Sequence, residues 1–151
     1  MTGLKVKDLS IEAGASSVNL KFREPNKSTM EELAIEAGVS RFQADGLCNA
    51  NFNHFKFEGG VGGYSLDFGG TLSRQVDVDI SVGLGSLTIS IPRNIGVKVE
   101  YEKNWFSTCD FDKDFTEQDS DIYYSSNYFT TDGKMDMKIE AGLGSVRVKR
   151  Y

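Results

Sequence analysis

Four aspartates, Asp110, Asp112, Asp114 and Asp121, stand at relative positions 1, 3, 5 and 12, where a calcium loop places oxygen ligands. Such a loop needs glycine at its sharp turn and a bidentate glutamate at its end, and this chain has Phe115 and Asp121 there. The four are therefore a weak calcium candidate set beside the plainer reading of a solvated acidic loop. Other chemistry is harder to assemble. Cys48 and Cys109 are the two cysteines and His54 the one histidine, far apart and without zinc spacing. Two buried thiols is the simpler expectation for the cysteines, with a disulfide as the alternative outside the cytoplasm. Ser86 and Ser145 occupy equivalent motif positions, but a single histidine cannot activate both. Asp77 and Asp79 fall on the outward face of a strand pattern, where carboxylates solubilise. The glycines of residues 59–63 are followed by no helix pattern and no Lys-Ser/Thr pair, so they are not a phosphate cradle. The expectation is a protein that is not an enzyme, with no catalytic residue and no cofactor.

A second concentration of side chains is aromatic. Trp105, Phe111, Phe115, Tyr123, Tyr124 and Tyr128, with Phe106 and Phe129 among them, crowd the same acidic region. Amphipathic rings of this kind form binding surfaces, and the six named first are the binding-surface candidates. The competing role is to cover an open end of an apolar core.

The elements that must carry these residues are read most clearly in residues 76–91. Val76, Val78, Ile80, Val82 and Leu84 alternate with polar residues or glycine, the period of a strand with one buried face. The apolar set resumes at Leu87, Ile89 and Ile91, a phase step that marks a corner across Gly85 and Ser86. The same unit recurs around Gly14, Gly38, Gly60 and Gly142, and in degenerate form with Asn104 in the glycine's place. Successive corners are spaced 24, 22, 23, 21 and 38 residues apart. A unit with one corner and two short strands buries its apolar face only against neighbours, so the pattern predicts an all-β, solenoid-like stack of about six strand-corner-strand repeats. A β-sandwich is the alternative. Ile11, Ile35, Phe57, Ile80 and Ile139 share one motif position and are expected to form one stacked column. The corner glycines Gly14, Gly38, Gly83 and Gly142 are expected to include several with positive φ or with no space for a Cβ. The long last spacing holds an insertion, residues 106–132, and Asp132-Gly133 after it reads as a hairpin-like turn.

The chain of 151 residues is expected to be a single domain, 1–151. Seventeen basic and twenty-two acidic residues leave a net charge of -5, which argues against a nucleic-acid partner. No apolar run reaches membrane-span length, and no leader-like start precedes the first strand pattern, so the reading is of a soluble piece.

The string VDISVGLGSLTISIPRNIGVKVEYE, followed after the insertion by KMDMKIEAGLGSVRV, resembles the C-terminal region of bacterial toast-rack and LiaF-like envelope proteins. The resemblance covers residues 76–151 and rests on paired Gly-x-Gly-Ser corners, the link from Ile91 to Val97, and an insertion rich in Phe and Tyr. IEAGAS and IEAGVS extend it loosely to earlier repeats, while Asn104-Trp105-Phe106 departs from the family's glycine-rich corner. It implies an all-β repeat domain, membrane-tethered at the cell envelope, that acts in the response to cell-wall-active antibiotics by restraining a sensor kinase. It supplies no catalytic residues. The expected function is a non-enzymatic interaction domain with an envelope or membrane protein as partner. The alternatives are a self-assembling structural or adhesin-type domain, and capture of cationic envelope-active peptides by the acidic aromatic insertion. Arg147, Lys149 and Arg150 near the C-terminus argue against self-association at that end.

Overall fold

Alternation over residues 76–91 produces one long strand, β5 (Gln75–Ile91), whose inward residues Val76, Val78, Ile80 and Val82 are buried, as are Leu87, Ile89 and Ile91 after the bend. The computed structural model describes residues 8–14, 17–26, 28–102 and 107–151. The other strands are β1 (Asp8–Ala13), β2 (Ser17–Lys21), β3 (Met30–Asp45), β4 (Phe52–Asp67), β6 (Gly96–Tyr101), β7 (Ser107–Phe111), β8 (Phe115–Asp119), β9 (Ile122–Ser125) and β10 (Lys134–Arg150). A short 3-10 turn, Leu47–Ala50, joins β3 to β4, and no α-helix occurs among the described residues. Each long strand is a bent rung with a first leg, a corner and a second leg. The core lies between the legs: Phe57 on a first leg meets Phe42 and Tyr64 on second legs, with ring centroids 5.6 and 5.3 Å apart.

Rungs stack in parallel and in register, as a solenoid-like stack requires and a sandwich of hairpins does not. Ile11 pairs with Ile35, Ile35 with Phe57, Phe57 with Ile80, Ile80 with Ile139, and Ile139 with Tyr101. The expected column is therefore present, with Tyr101 added at its end. All but Ile11 are buried, and each such aliphatic or aromatic side chain contributes roughly 1.5–3 kcal/mol of burial.

The rungs do not stack in chain order. The sheet runs β1-β3-β4-β5-β10-β6-β9-β8, so the last strand lies between β5 and β6. β10 pairs with β5 from Lys134 and Gln75 to Arg150 and Ile91, and on its other side with β6 and then β7. The outer edge of β6 is taken by β9, which runs antiparallel to it, so the ladder left for β10 is the one between β5 and β6. Charge favours the same place: Lys138 stands between Asp79 and Glu100, which in chain order would be neighbours of like sign. Arg147, Lys149 and Arg150 are consequently not at an end of the stack, and the argument from them against end-to-end association falls.

Two local expectations are corrected, at Leu84 and at Asp132-Gly133, while the one for the corner glycines is met at Gly83 and Gly142 through crowding and not through positive φ. Leu84 is 40% exposed: the chain turns at residues 83–85, one step earlier than the phase of Leu84 suggests, and the side chain stands on the outside of the corner. Positive φ occurs at Gly85 (139°) and Gly144 (134°), two residues beyond Gly83 and Gly142. Gly83 and Gly142 are instead hemmed in, because a Cβ would lie 2.9 Å from Gly60 O and 2.6 Å from Gly83 O. Gly60 is looser, with Gly38 O at 3.4 Å, and a Cβ on Gly14 would meet nothing within 4 Å. Finally, Asp132 and Gly133 close no hairpin, since β9 pairs with β6 and β8 while β10 runs parallel to β5 and β6. The expected corner at Asn104 lies outside the described residues.

Candidate interaction surface

The insertion departs from the repeat later than its spacing suggests. β7 is a regular second leg, with Ser107 pairing Gly144 and Phe111 pairing Val148, so the departure begins at Asp112. Phe115 and Tyr123 then fold over the last rung with Phe111. Phe111 stacks on Tyr123 with centroids 4.0 Å apart and meets Phe115 at 5.5 Å, and all three pack against the core. These three binding-surface candidates are a cover for the apolar stack. Trp105, like Phe106, lies outside the described residues.

The aspartates of the calcium candidate do not converge. Asp114 faces Arg150, with Oδ2 3.1 Å from Nε, and also receives the Ser126 hydroxyl. Asp112 accepts the backbone N–H groups of Asp114 and Arg150 and lies 3.7 Å from Arg93. Those backbone donors hold its carboxyl below the usual carboxylate range, against a smaller opposing effect of burial. Asp110 lies 4.0 Å from Arg147, and Asp121 sits at the tip of the β8–β9 hairpin with φ 65°. Among the described residues, no group of three or more His, Cys, Asp or Glu is placed to hold a metal ion. The cysteines are free. Burial pushes both thiols up to about 12, with Asp67 adding to the effect at Cys48 and Asp110 at Cys109.

The other two candidates behave differently. Tyr124 and Tyr128 form a trio with Phe129, every pair of centroids 5.1 Å apart, and Phe129 is 72% exposed. Tyr128 donates its hydroxyl to Asp136 Oδ1 at 2.6 Å, which with burial pushes the phenol up, and Lys134 lies over its ring at 5.2 Å. Gln75 donates to the other oxygen of Asp136 at 2.7 Å. Asp136 is thus held from both sides and anchors the trio to the solenoid.

The trio borders a shallow groove of about 360 Å³ on the outer face of the first legs, lined by His54, Asp77, Asp79, Lys98, Asp136 and Lys138, among others. The repeat builds this groove. Outward residues of successive rungs fall into rows, one running Glu32, His54, Asp77, Asp136, Lys98 and then Tyr124. The next runs Ala34, Lys56, Asp79, Lys138 and Glu100. His54 Nε2 lies 2.7 Å from Asp79 Oδ2, and Nδ1 lies 3.9 Å from Glu32. Reading Asp77 and Asp79 as solubilising charges missed that they wall a groove. Aligning the repeats and following their outward columns is the signal that exposes it. The arrangement offers hydrogen-bonding carboxylates and ammonium groups in a rigid array with aromatic faces at one end.

No protein-family model matches the chain, and no curated protein does. Among solved structures, it is similar to a "putative cell adhesion protein" from Clostridium sporogenes, with a TM-score of 0.84 and 21% identity over 99% of this chain and 94% of that one. At that identity the likeness is one of fold.

Proposed function

We propose that this chain is a non-enzymatic, adhesion-type binding domain of a bacterial cell envelope, which recognises its partner through the groove on the first legs and the aromatic trio beside it. The observation that carries the reading is Phe129, an apolar ring 72% exposed and packed on Tyr124, the residue that follows Lys98 in the outward row lining the charged groove. The fold of the clostridial neighbour supports the same class of function. Rigid legs let the partner bind without ordering the receptor, which lowers the entropic cost of association. The partner is an envelope component, protein or polymer, and not nucleic acid, given the net charge of -5. Among the described residues no helix is long and apolar enough to cross a membrane.

The test is saturable binding of fluorescently labelled domain to intact bacterial cells and to purified cell wall. The double variant Tyr124→Ser/Phe129→Ser should lose most of that binding while keeping its melting temperature within a few degrees. Unchanged binding by the variant, or no saturable binding by the wild type, would refute the reading. A second reading is LiaF-like restraint of a sensor kinase in the response to cell-wall-active antibiotics, favoured by the Gly-x-Gly-Ser corners and the link from Ile91 to Val97. It predicts co-purification with a membrane kinase and an altered antibiotic response on deletion, neither of which an adhesion domain requires.

A further inference from the structure

The outside of the corner carries a second feature that the groove does not use. Val61, Leu84 and Leu143 are partners in register on adjacent rungs, and they are 43%, 40% and 47% exposed. Together they form an apolar ridge along the stack, next to exposed glycine backbone at Gly83 and Gly142. The outward row nearest the ridge on the first-leg side runs Glu12, Glu36, Glu58, Ser81 and Glu140, all exposed. Beyond Glu140, Glu102 shares a cleft with it, floored by Gly83 and Gly142. Lys56 reaches Glu58 at 3.3 Å, and on the far side of the corner the matching row runs Arg41, Gly63, Ser86 and Ser145.

Each half of this arrangement is unfavourable in the free chain. Like charges directly opposite on neighbouring strands destabilise a sheet, and three glutamates stand on consecutive rungs here. Val61, Leu84 and Leu143, aligned in register on the exposed corner, form a contiguous apolar strip left in contact with water. One kind of occupant relieves both: a segment whose cations meet the glutamate row while its apolar side chains cover the ridge.

We propose that the corner ridge is a docking surface for a cationic amphipathic polypeptide segment. The acidic row decides against a bilayer of anionic lipid, which it would repel, and against a second copy through the same ridge, which would bring two acidic rows together. Capture of cationic peptides, an alternative that the sequence offers for the insertion, is here assigned to the corner. This site is separate from the groove, so each can fail without the other.

The probe is a short synthetic peptide of alternating lysine and leucine, its binding followed by fluorescence anisotropy at low and physiological salt. Glu36→Gln/Glu58→Gln/Glu140→Gln should weaken binding by about tenfold or more, because it removes the attraction. Leu84→Ser/Leu143→Ser should weaken binding to a similar degree with the charge untouched. Glu24→Gln/Asp45→Asn/Asp132→Asn removes equal charge away from the corner and should leave binding as in the wild type. Equal weakening by that control would mean diffuse attraction and overturn the proposal, as would unaltered binding by the leucine variant or none by the wild type. A wild-type dimer in sedimentation that Leu84→Ser/Leu143→Ser dissociates would assign the ridge to self-contact instead, and binding to phosphatidylcholine vesicles would assign it to lipid. Should the glutamine variant fail to fold, the leucine variant decides alone.

Discussion

Arg150 Nε lies 3.1 Å from Asp114 Oδ2 with the arginine side chain fully enclosed, and this pair ties the inserted last strand to the segment that covers the stack. Nη2 donates to Ile95 O at 2.6 Å, to Arg93 O at 3.2 Å and to Asn127 Oδ1 at 3.3 Å, and Phe115 lies beneath the guanidinium at 5.7 Å. Burial pushes the guanidinium below its usual value and Asp114 pushes it back. Removing one partner leaves an enclosed charge alone, so Asp114→Ala should cost about 3–5 kcal/mol in chemical denaturation. Arg150→Met/Asp114→Asn should recover much of that loss. Equal stability of Asp114→Ala and wild type would show that the pair does not hold the cover in place.

Asp112 links the same region to pH. Its folded carboxyl is held below its unfolded value of about 3.9, so it contributes stability that is present above that value and lost as pH falls through the lower, folded one. Asp112→Asn should be less stable than wild type near neutrality, and the difference should shrink on acidification below about pH 4. Urea midpoints measured across pH 2–7 check this; parallel curves would mean that Asp112 does not contribute to the acid slope.

The corner glycines should differ in a set order. Gly144 combines φ 134° with a Cβ position that collides with Gly85 O, so Gly144→Ala should cost at least about 2 kcal/mol. Gly142→Ala and Gly83→Ala meet backbone oxygen without the positive φ and should cost less, while Gly14→Ala, open to solvent, should be close to neutral. Thermal melts of the four variants give the ranking, and a costly Gly14→Ala would reverse the account of the corner.

The two thiols should be inert in the folded protein. Both are pushed up to about 12, and neither offers appreciable thiolate at pH 8. Nor can they pair. Cys48 precedes β4 and Cys109 is on β7, three strand spacings away across β5 and β10, or roughly 14 Å, against the ~7 Å limit for a disulfide. Iodoacetamide at pH 8, followed by mass spectrometry, should label Cys48 and Cys109 far more slowly in buffer than in denaturant.

The period of the repeat is legible in the sequence alone, because it is written in local alternation: a residue such as Ile80 must point inward wherever its rung lies. Spacings of 22 to 24 residues place Ile11, Ile35, Phe57 and Ile80 in one column whatever their neighbours are. What alternation cannot encode is which rung lies beside which, since β5, β6 and β10 present interchangeable apolar faces. That choice fell to the tertiary structure, through the occupation of the β6 edge by β9 and the seat of Lys138 between Asp79 and Glu100. Leu84 escaped the pattern for a related reason: at a corner a single backbone rotation at Gly85 decides which side of the chain a side chain occupies, and hydrophobicity does not report it. The aromatic insertion is visible as a departure from the period, yet its division into a cover (Phe111, Phe115, Tyr123) and a trio in which buried Tyr128 and half-buried Tyr124 support an exposed Phe129 depends on how the hairpin folds back over the last rung. The rows that line the groove and the ridge arise only when residues some twenty positions apart are brought beside one another by stacking, so their sequence holds the letters of both surfaces and the rung order decides how they are joined.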